Sequence, residues 1–69
     1  MRYSIFLPES KGGYKVGDED DLIAALCALQ ELNQKFQVAC VIYDSEMKTT
    51  DVQAMLNDKF RRDYHLDHK

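Results

Sequence analysis

The chain has 69 residues and a mass of 8.0 kDa, and its formal net charge of −3 corresponds to a pI near 5.2. A chain of this length buries about 60% of the surface that its unfolded form exposes, which suffices for one domain and excludes a large cofactor cradle beside a separate substrate domain. Hydrophobic residues make up 45% and charged residues 30%, so the composition is globular, and the acidic balance disfavours a protein built to attract nucleic acid or an acidic membrane.

The N-terminal region predicts a β-hairpin. Side chains alternate along residues 2–7 as in a strand, with Phe6 on the face opposite to the tyrosine and isoleucine before it. Pro8 cannot donate a ladder hydrogen bond and ends this strand. Residues 9–13 contain two glycines and predict a turn, so residues 14–16 become a short second strand.

A first helix is predicted to follow this hairpin. Asp18 is the expected N-cap, and the three acids after it suit the positive end of the helix dipole. From Leu22 onward, apolar residues recur at helical spacing, and the pattern ends near Lys35 or Phe36.

Residues 37–43 form the strongest strand pattern, because both faces of the segment are apolar. Left as an open edge, such a strand would be an aggregation hazard. We therefore predict that it lies at the centre of the sheet or at a dimer seam.

The last predicted element is a second helix. Thr50 and Gln53 match a capping box, in which the hydroxyl reaches forward and the amide side chain reaches back. Apolar residues at helical spacing follow: Val52, Met55, Leu56, Phe60 and Tyr64. Phe60 is expected in the core, and residues 65–69 are expected to form a flexible C-terminal tail beyond a compact domain of residues 1–64.

The predicted order is β-β-α-β-α, a small α+β two-layer sandwich with a three-stranded sheet and two helices. If both helices cover one face of the sheet, the other face exposes Phe6 and one apolar set of the third strand. A soluble monomer rarely tolerates such a patch without a use for it. The pattern therefore predicts association, with another protein or as a homodimer.

Residue types that carry chemistry do not converge on a catalytic or metal site. Cys27 and Cys40 lie in apolar segments at a spacing typical of neither zinc nor redox motifs, so we expect reduced core thiols, with a disulfide as the alternative. His65, Asp67 and His68 have metal-compatible spacing, but a flexible tail accounts for them better. Since no nucleophile or acid–base pair is identifiable, no enzymatic activity, cofactor or metal is predicted.

The acidic run at the start of the first helix is the first candidate for partner contact. Its carboxylates either serve the helix start or dock on a basic partner, where charge complementarity limits wrong partners. Tyrosine is enriched at interface hot spots. The predicted partner-binding residues are Asp18, Glu19, Asp20, Asp21, Asp44, Glu46 and Tyr14. Tyr43 is a further aromatic candidate, although ordinary strand packing also explains it.

The sequence thus predicts a non-catalytic protein-binding module that inhibits or modulates a larger protein with a basic surface, for example one that handles nucleic acid. Small inhibitors carried by phages or mobile elements, such as anti-CRISPR proteins and antitoxins, are similar in size and charge. The alternative is a small dimeric nucleic-acid-binding regulator that uses Lys59, Arg61 and Arg62. Without a bilayer-length apolar run or a secretory signal pattern, we expect a cytoplasmic protein.

Overall fold

The computed structural model describes the backbone of residues 1–67 and the side chains of residues 1–64. It contains three strands, one 3-10 turn and two helices: β1 (Tyr3–Phe6), the turn (Glu9–Lys11), β2 (Lys15–Glu19), α1 (Leu22–Phe36), β3 (Val41–Asp44) and α2 (Val52–Asp67). The predicted α+β class and the order β-β-α-β-α are confirmed.

The sheet is antiparallel and has the order β2-β1-β3, so β1 and not β3 is its central strand. Of the two positions predicted for β3, the centre of the sheet is wrong, and a dimer seam stays a prediction. Its first predicted residues do not join the ladder: Gln37 ends α1 in the left-handed region with φ 54°, and the Cys40 N–H donates to Asn33 Oδ1 at 2.7 Å. The chain therefore needs residues 37–40 to turn away from the helix before pairing begins at Val41.

The hydrophobic core lies between one face of the sheet and the two helices. Its buried side chains are Tyr3, Ile5, Leu22, Ala25, Ile42 and Met55. Gly17 of β2 faces α1: a Cβ at this position would lie 3.4 Å from a Leu32 methyl group and 3.6 Å from one of Ile5, which are ordinary van der Waals contacts. Both helices thus cover the same side of the sheet.

Helix α1 begins later than predicted, because β2 extends through Glu19. Asp18 is therefore a strand residue opposite Ser4 of β1, and its assignment as N-cap is wrong. Asp21 is the N-cap instead, and its carboxylate accepts from the Ala24 N–H at 3.1 Å. The same short side-chain chemistry fits either position, and pairing with β1 decides between them.

The predicted capping box of α2 is also wrong by one residue. The Asp51 carboxylate accepts from the N–H groups of Gln53 and Ala54 at 3.0 and 3.3 Å, so Asp51 and not Thr50 serves the helix start. The Gln53 side chain donates forward to Asn57 rather than back to the cap.

The second half of α2 extends beyond the core and makes the molecule long, with dimensions of 45 × 21 × 19 Å. Phe60 is 61% exposed, so its predicted place in the core is wrong. The last residues of α2 in or against the core are buried Met55 and partly buried Leu56, about one helical turn before Phe60. The helical backbone continues to Asp67, which places residues 65–67 of the predicted tail in the helix; residues 68 and 69 lie outside the described part of the chain.

Candidate functional site

The face of the sheet opposite the helices is the candidate site, and we call it the open face. Register places Ser4 between Asp18 and Tyr43 on this face, with Phe6 beside Val41. No other element of the described chain covers these side chains: Val41 is 38% exposed, and Phe6 and Tyr43 are half-buried. The predicted exposure of one apolar face of the sheet is present in the structure.

An open concavity of about 430 Å³ lies at one end of this face. Its walls come from β1 and the turn that follows, from β3, and from the segment before α2. The lining residues are Phe6, Leu7, Pro8, Glu9, Gly13, Val41, Tyr43 and Thr50. Its volume lies within the range of about 300–1,000 Å³ that is typical of ligand pockets.

The concavity combines an apolar floor with a few polar groups. Among the side chains that the structure describes, Glu9 is the only carboxylate on its wall, and the Tyr43 and Thr50 hydroxyls are the other polar groups. Within residues 1–64, none of these three side chains has a hydrogen-bond or ion-pair partner. This arrangement can take an apolar group that carries a hydrogen-bond donor.

A polar strip lies beside the concavity on the open face. The Ser4 hydroxyl donates to Asp18 Oδ1 at 2.9 Å, and Lys15 Nζ lies 3.1 Å from Asp18 Oδ2. The hydrogen bonds from Lys15 and then Ser4 hold the pKa of Asp18 below its ordinary value. The carboxylate therefore stays charged near neutral pH, but Lys15 partly neutralises it before a partner arrives.

The structure separates the other acids of the predicted contact run. Glu19 lies opposite Tyr3, on the helix-covered side, and is half-buried. Asp20 and Asp21 are exposed in the link to α1, where Asp21 is committed to capping. The run is therefore divided among two faces of the sheet and a loop rather than gathered on one helix surface.

Tyr14 is 70% exposed at the end of the hairpin turn, next to the Gly13 wall of the concavity. Its ring lies over Gly12, which has φ 99°: a Cβ there would come within 2.4 Å of a ring carbon. Glycine at this position thus allows both the left-handed turn and the ring position. Tyr14 remains a candidate contact residue at the rim of the open face.

Asp44 is an internal structural residue, and its prediction as a contact residue is corrected. It is fully buried, and its carboxylate accepts from Arg2 Nε and Nη2 at 3.0 and 2.9 Å and from the N–H groups of Glu46 and Met47 at 2.9 and 3.2 Å. Burial alone would raise the pKa of Asp44, but these hydrogen bonds more than offset burial and the pKa lies below its ordinary value. Asp44 is therefore a buried anion with a matched cation.

Arg2 connects this buried carboxylate to α2. Its Nη2 atom also lies 3.1 Å from Asp58 Oδ2, and hydrogen bonding to Asp44 is the main cause that raises the pKa of the guanidinium. Glu46 is 3.6 Å from Arg2 with a 69% exposed side chain, so it remains accessible for contact. Sequence reasoning missed Arg2 because no local pattern marks it.

The basic cluster of Lys59, Arg61 and Arg62 is largely neutralised on α2 itself. Lys59 pairs with Asp63 at 3.1 Å and Arg62 with Asp58 at 3.0 Å. Arg61 is exposed and has no ion pair within residues 1–64. Sequence spacing already places these acids four residues from the cations, where helical pairing is favoured.

Other chemistry-bearing residues form no further site in the described part of the chain. Cys27 and Cys40 are free thiols, as predicted. Cys40 is half-buried and packs against the core, whereas Cys27 is exposed, so its predicted place in the core is wrong. No group of three or more His, Cys, Asp or Glu residues suited to a metal ion occurs among the described residues; the side chains of His65 and His68 lie outside them. None of the described helices has the length and apolarity needed to cross a membrane.

Comparison with known proteins gives no match among family models, curated proteins or solved structures. The geometry of the open face is therefore the basis of the functional argument.

Proposed function

We propose that this domain is a non-catalytic module that binds another protein through the open face of its sheet. It would inhibit or modulate a larger protein, for example one that handles nucleic acid, as small phage or mobile-element inhibitors such as anti-CRISPR proteins and antitoxins do. The observation that carries the proposal is the apolar concavity next to exposed Tyr14 and half-exposed Tyr43.

Three features of the open face support binding of a protein. Apolar patches on small soluble domains mark interaction sites when polar groups rim them. Tyrosine supplies a large contact area with a polar tip; Tyr43 lines the concavity, and exposed Tyr14 directly follows Gly13 of its wall. The edge strand β3 presents its apolar side chain Val41 here, where a partner can bury it.

A matched pair of variants tests the proposal. Val41→Asp places a charge on the open face, whereas Ile23→Asp places the same charge on exposed α1, where an acid suits the helix start. We expect tagged wild type and Ile23→Asp to recover a common partner from the native cell, and Val41→Asp to lose it. Calorimetry with that purified protein then measures the loss, for which we expect at least about tenfold in Kd.

Two controls separate loss of binding from loss of folding. Circular dichroism of Val41→Asp must show a folded protein, and Val41→Thr keeps strand propensity while it removes apolar area. Equal recovery of every partner by wild type and Val41→Asp would refute the proposal. If the protein instead forms a homodimer as its concentration rises, and the Val41 variants stay monomeric, the open face binds a second copy of this chain.

A further inference from the structure

Resting on the proposed function, we infer that the concavity receives a basic side chain of the partner protein, an arginine or lysine that follows an apolar residue in its sequence. The stem of the basic side chain and part of its apolar neighbour contact the floor, and the cationic group lies at Glu9. The inference names the recognition chemistry of the open face and goes beyond the statement that a protein binds there.

The floor of the concavity fits the stem of a basic side chain. Phe6, Pro8 and Val41 provide apolar surface, along which the methylene groups of arginine or lysine pack while the charged end stays at the rim. The rings of Phe6 and Tyr43 offer faces that attract a cation. The open volume of about 430 Å³ leaves room for one such side chain and part of its neighbour.

Charge selects the cation over a neutral or acidic group. Glu9 is exposed, lines the wall and has no ion-pair partner within residues 1–64. Lys11 lies in the same 3-10 turn but does not line the concavity. A basic side chain can donate hydrogen bonds to the Glu9 carboxylate and to the Tyr43 and Thr50 hydroxyl oxygens, which accept none within residues 1–64. The net charge of −3 favours encounter with a basic surface.

Titration of the intact ¹⁵N-labelled protein with two blocked dipeptides tests this inference by NMR. The probes are N-acetyl-leucyl-arginine amide and its neutral counterpart N-acetyl-leucyl-glutamine amide. We expect the arginine probe to shift the amides of Phe6, Glu9 and Val41 in a saturable way, with affinity about three- to fivefold higher than the neutral probe. Added salt should reduce this ratio, because the contact with Glu9 is exposed.

Glu9→Gln should bring the ratio of the two affinities close to one. The matched control is Glu31→Gln, which removes an exposed acid from α1, on the other side of the sheet, and should leave the ratio unchanged. Amide spectra of both variants show whether the fold is retained.

Three results would overturn the inference. Equal shifts with both probes would remove the role of the cation and leave the proposed binding function standing. Absence of shifts in the wall amides at millimolar arginine probe would exclude the site, whatever the partner-recovery experiment shows. Shifts that depend on protein concentration and that the probe cannot compete away would show that a second copy covers the face.

Discussion

Replacement of Asp44 by asparagine tests whether the buried contact with Arg2 holds the end of β3 and the middle of α2 together. Asparagine keeps the size of the side chain but turns one acceptor into a donor that faces the Arg2 guanidinium. The two Arg2 bonds of 3.0 and 2.9 Å are lost or weakened, and the guanidinium keeps only Asp58 and exposed Glu46.

The expected loss of stability is about 2–4 kcal/mol. Hydrogen bonds to charged groups contribute about 1.5–3 kcal/mol each, and removal of one member of a buried pair costs about 3–5 kcal/mol. We expect a loss that reaches below the cost of breaking a fully buried pair, because the Arg2 side chain is 12% exposed and retains two other carboxylates. Stability of about 0.05–0.15 kcal/mol per residue makes such a loss about a fifth or more of the total.

Urea unfolding followed by circular dichroism at pH 7 measures this loss as a lower midpoint with an unchanged slope. Glu46→Gln is the control, since its 69% exposed side chain should change stability by less than about 0.5 kcal/mol. Arg2→Lys, which keeps the charge but not the forked geometry, should lie between the two. A loss below about 1 kcal/mol for Asp44→Asn, or one equal to that of Glu46→Gln, would show that the buried Asp44–Arg2 contact does not stabilise the fold.

The same pair makes stability depend on pH. The pKa of Asp44 is lower in the folded protein than in the unfolded chain, so its contribution is present above the unfolded pKa and is lost as pH falls through the folded pKa. The stability difference between wild type and Asp44→Asn should therefore shrink as pH is lowered through the acidic range. A difference that stays constant down to the acid limit would contradict this linkage.

Three further predictions concern the turn, the core and the basic cluster. Gly12→Ala should lower the free energy of unfolding by about 1–2 kcal/mol and displace the Tyr14 ring, which a shift of its aromatic NMR signals would show. Gly13→Ala, at φ 66° with open space around it, should cost about 1 kcal/mol and leave the ring in place. Equal ring shifts in the two variants would contradict the contact between the Tyr14 ring and Gly12. In urea unfolding, Met55→Ala should lower the free energy of unfolding by about 2–5 kcal/mol, and exposed Phe60→Ala by less than about 1 kcal/mol. A larger loss for Phe60→Ala than for Met55→Ala would show that the core extends along α2. Because acids four residues away neutralise most of the basic cluster, high-micromolar protein should give no mobility shift with duplex DNA or RNA at low salt, and a shift there would favour the nucleic-acid-binding alternative.

Local sequence patterns were enough to predict the presence and order of the strands and helices of this protein. Alternation predicted β1, helical spacing predicted the apolar stripe of α1, and the turn residues predicted the hairpin. The layer count also predicted an open face with Phe6 on it, because two helices of this length cover one side of a three-stranded sheet. The candidate site follows from that count, although its Glu9 wall does not.

Element ends and site membership depended on contacts between distant residues. Asp18 and Asp21 have the same capping chemistry, and pairing of β2 with β1 decided which one begins the helix. An apolar strand has the same sequence pattern at the centre and at the edge of a sheet, so the sequence left both a central position and a dimer seam open for β3, and the fold excluded the first.

Which segments become strands and which become helices is encoded locally, because the spacing of apolar residues and the conformational preferences of turn residues depend on a few neighbours in the chain. The tertiary structure alone decided that Asp44 belongs to the interior and Phe60 to the surface. Arg2, the partner of Asp44, lies 42 residues away in the chain. A carboxylate becomes a buried anion or a contact residue according to the cation that the fold brings to it, and no local pattern encodes that neighbour.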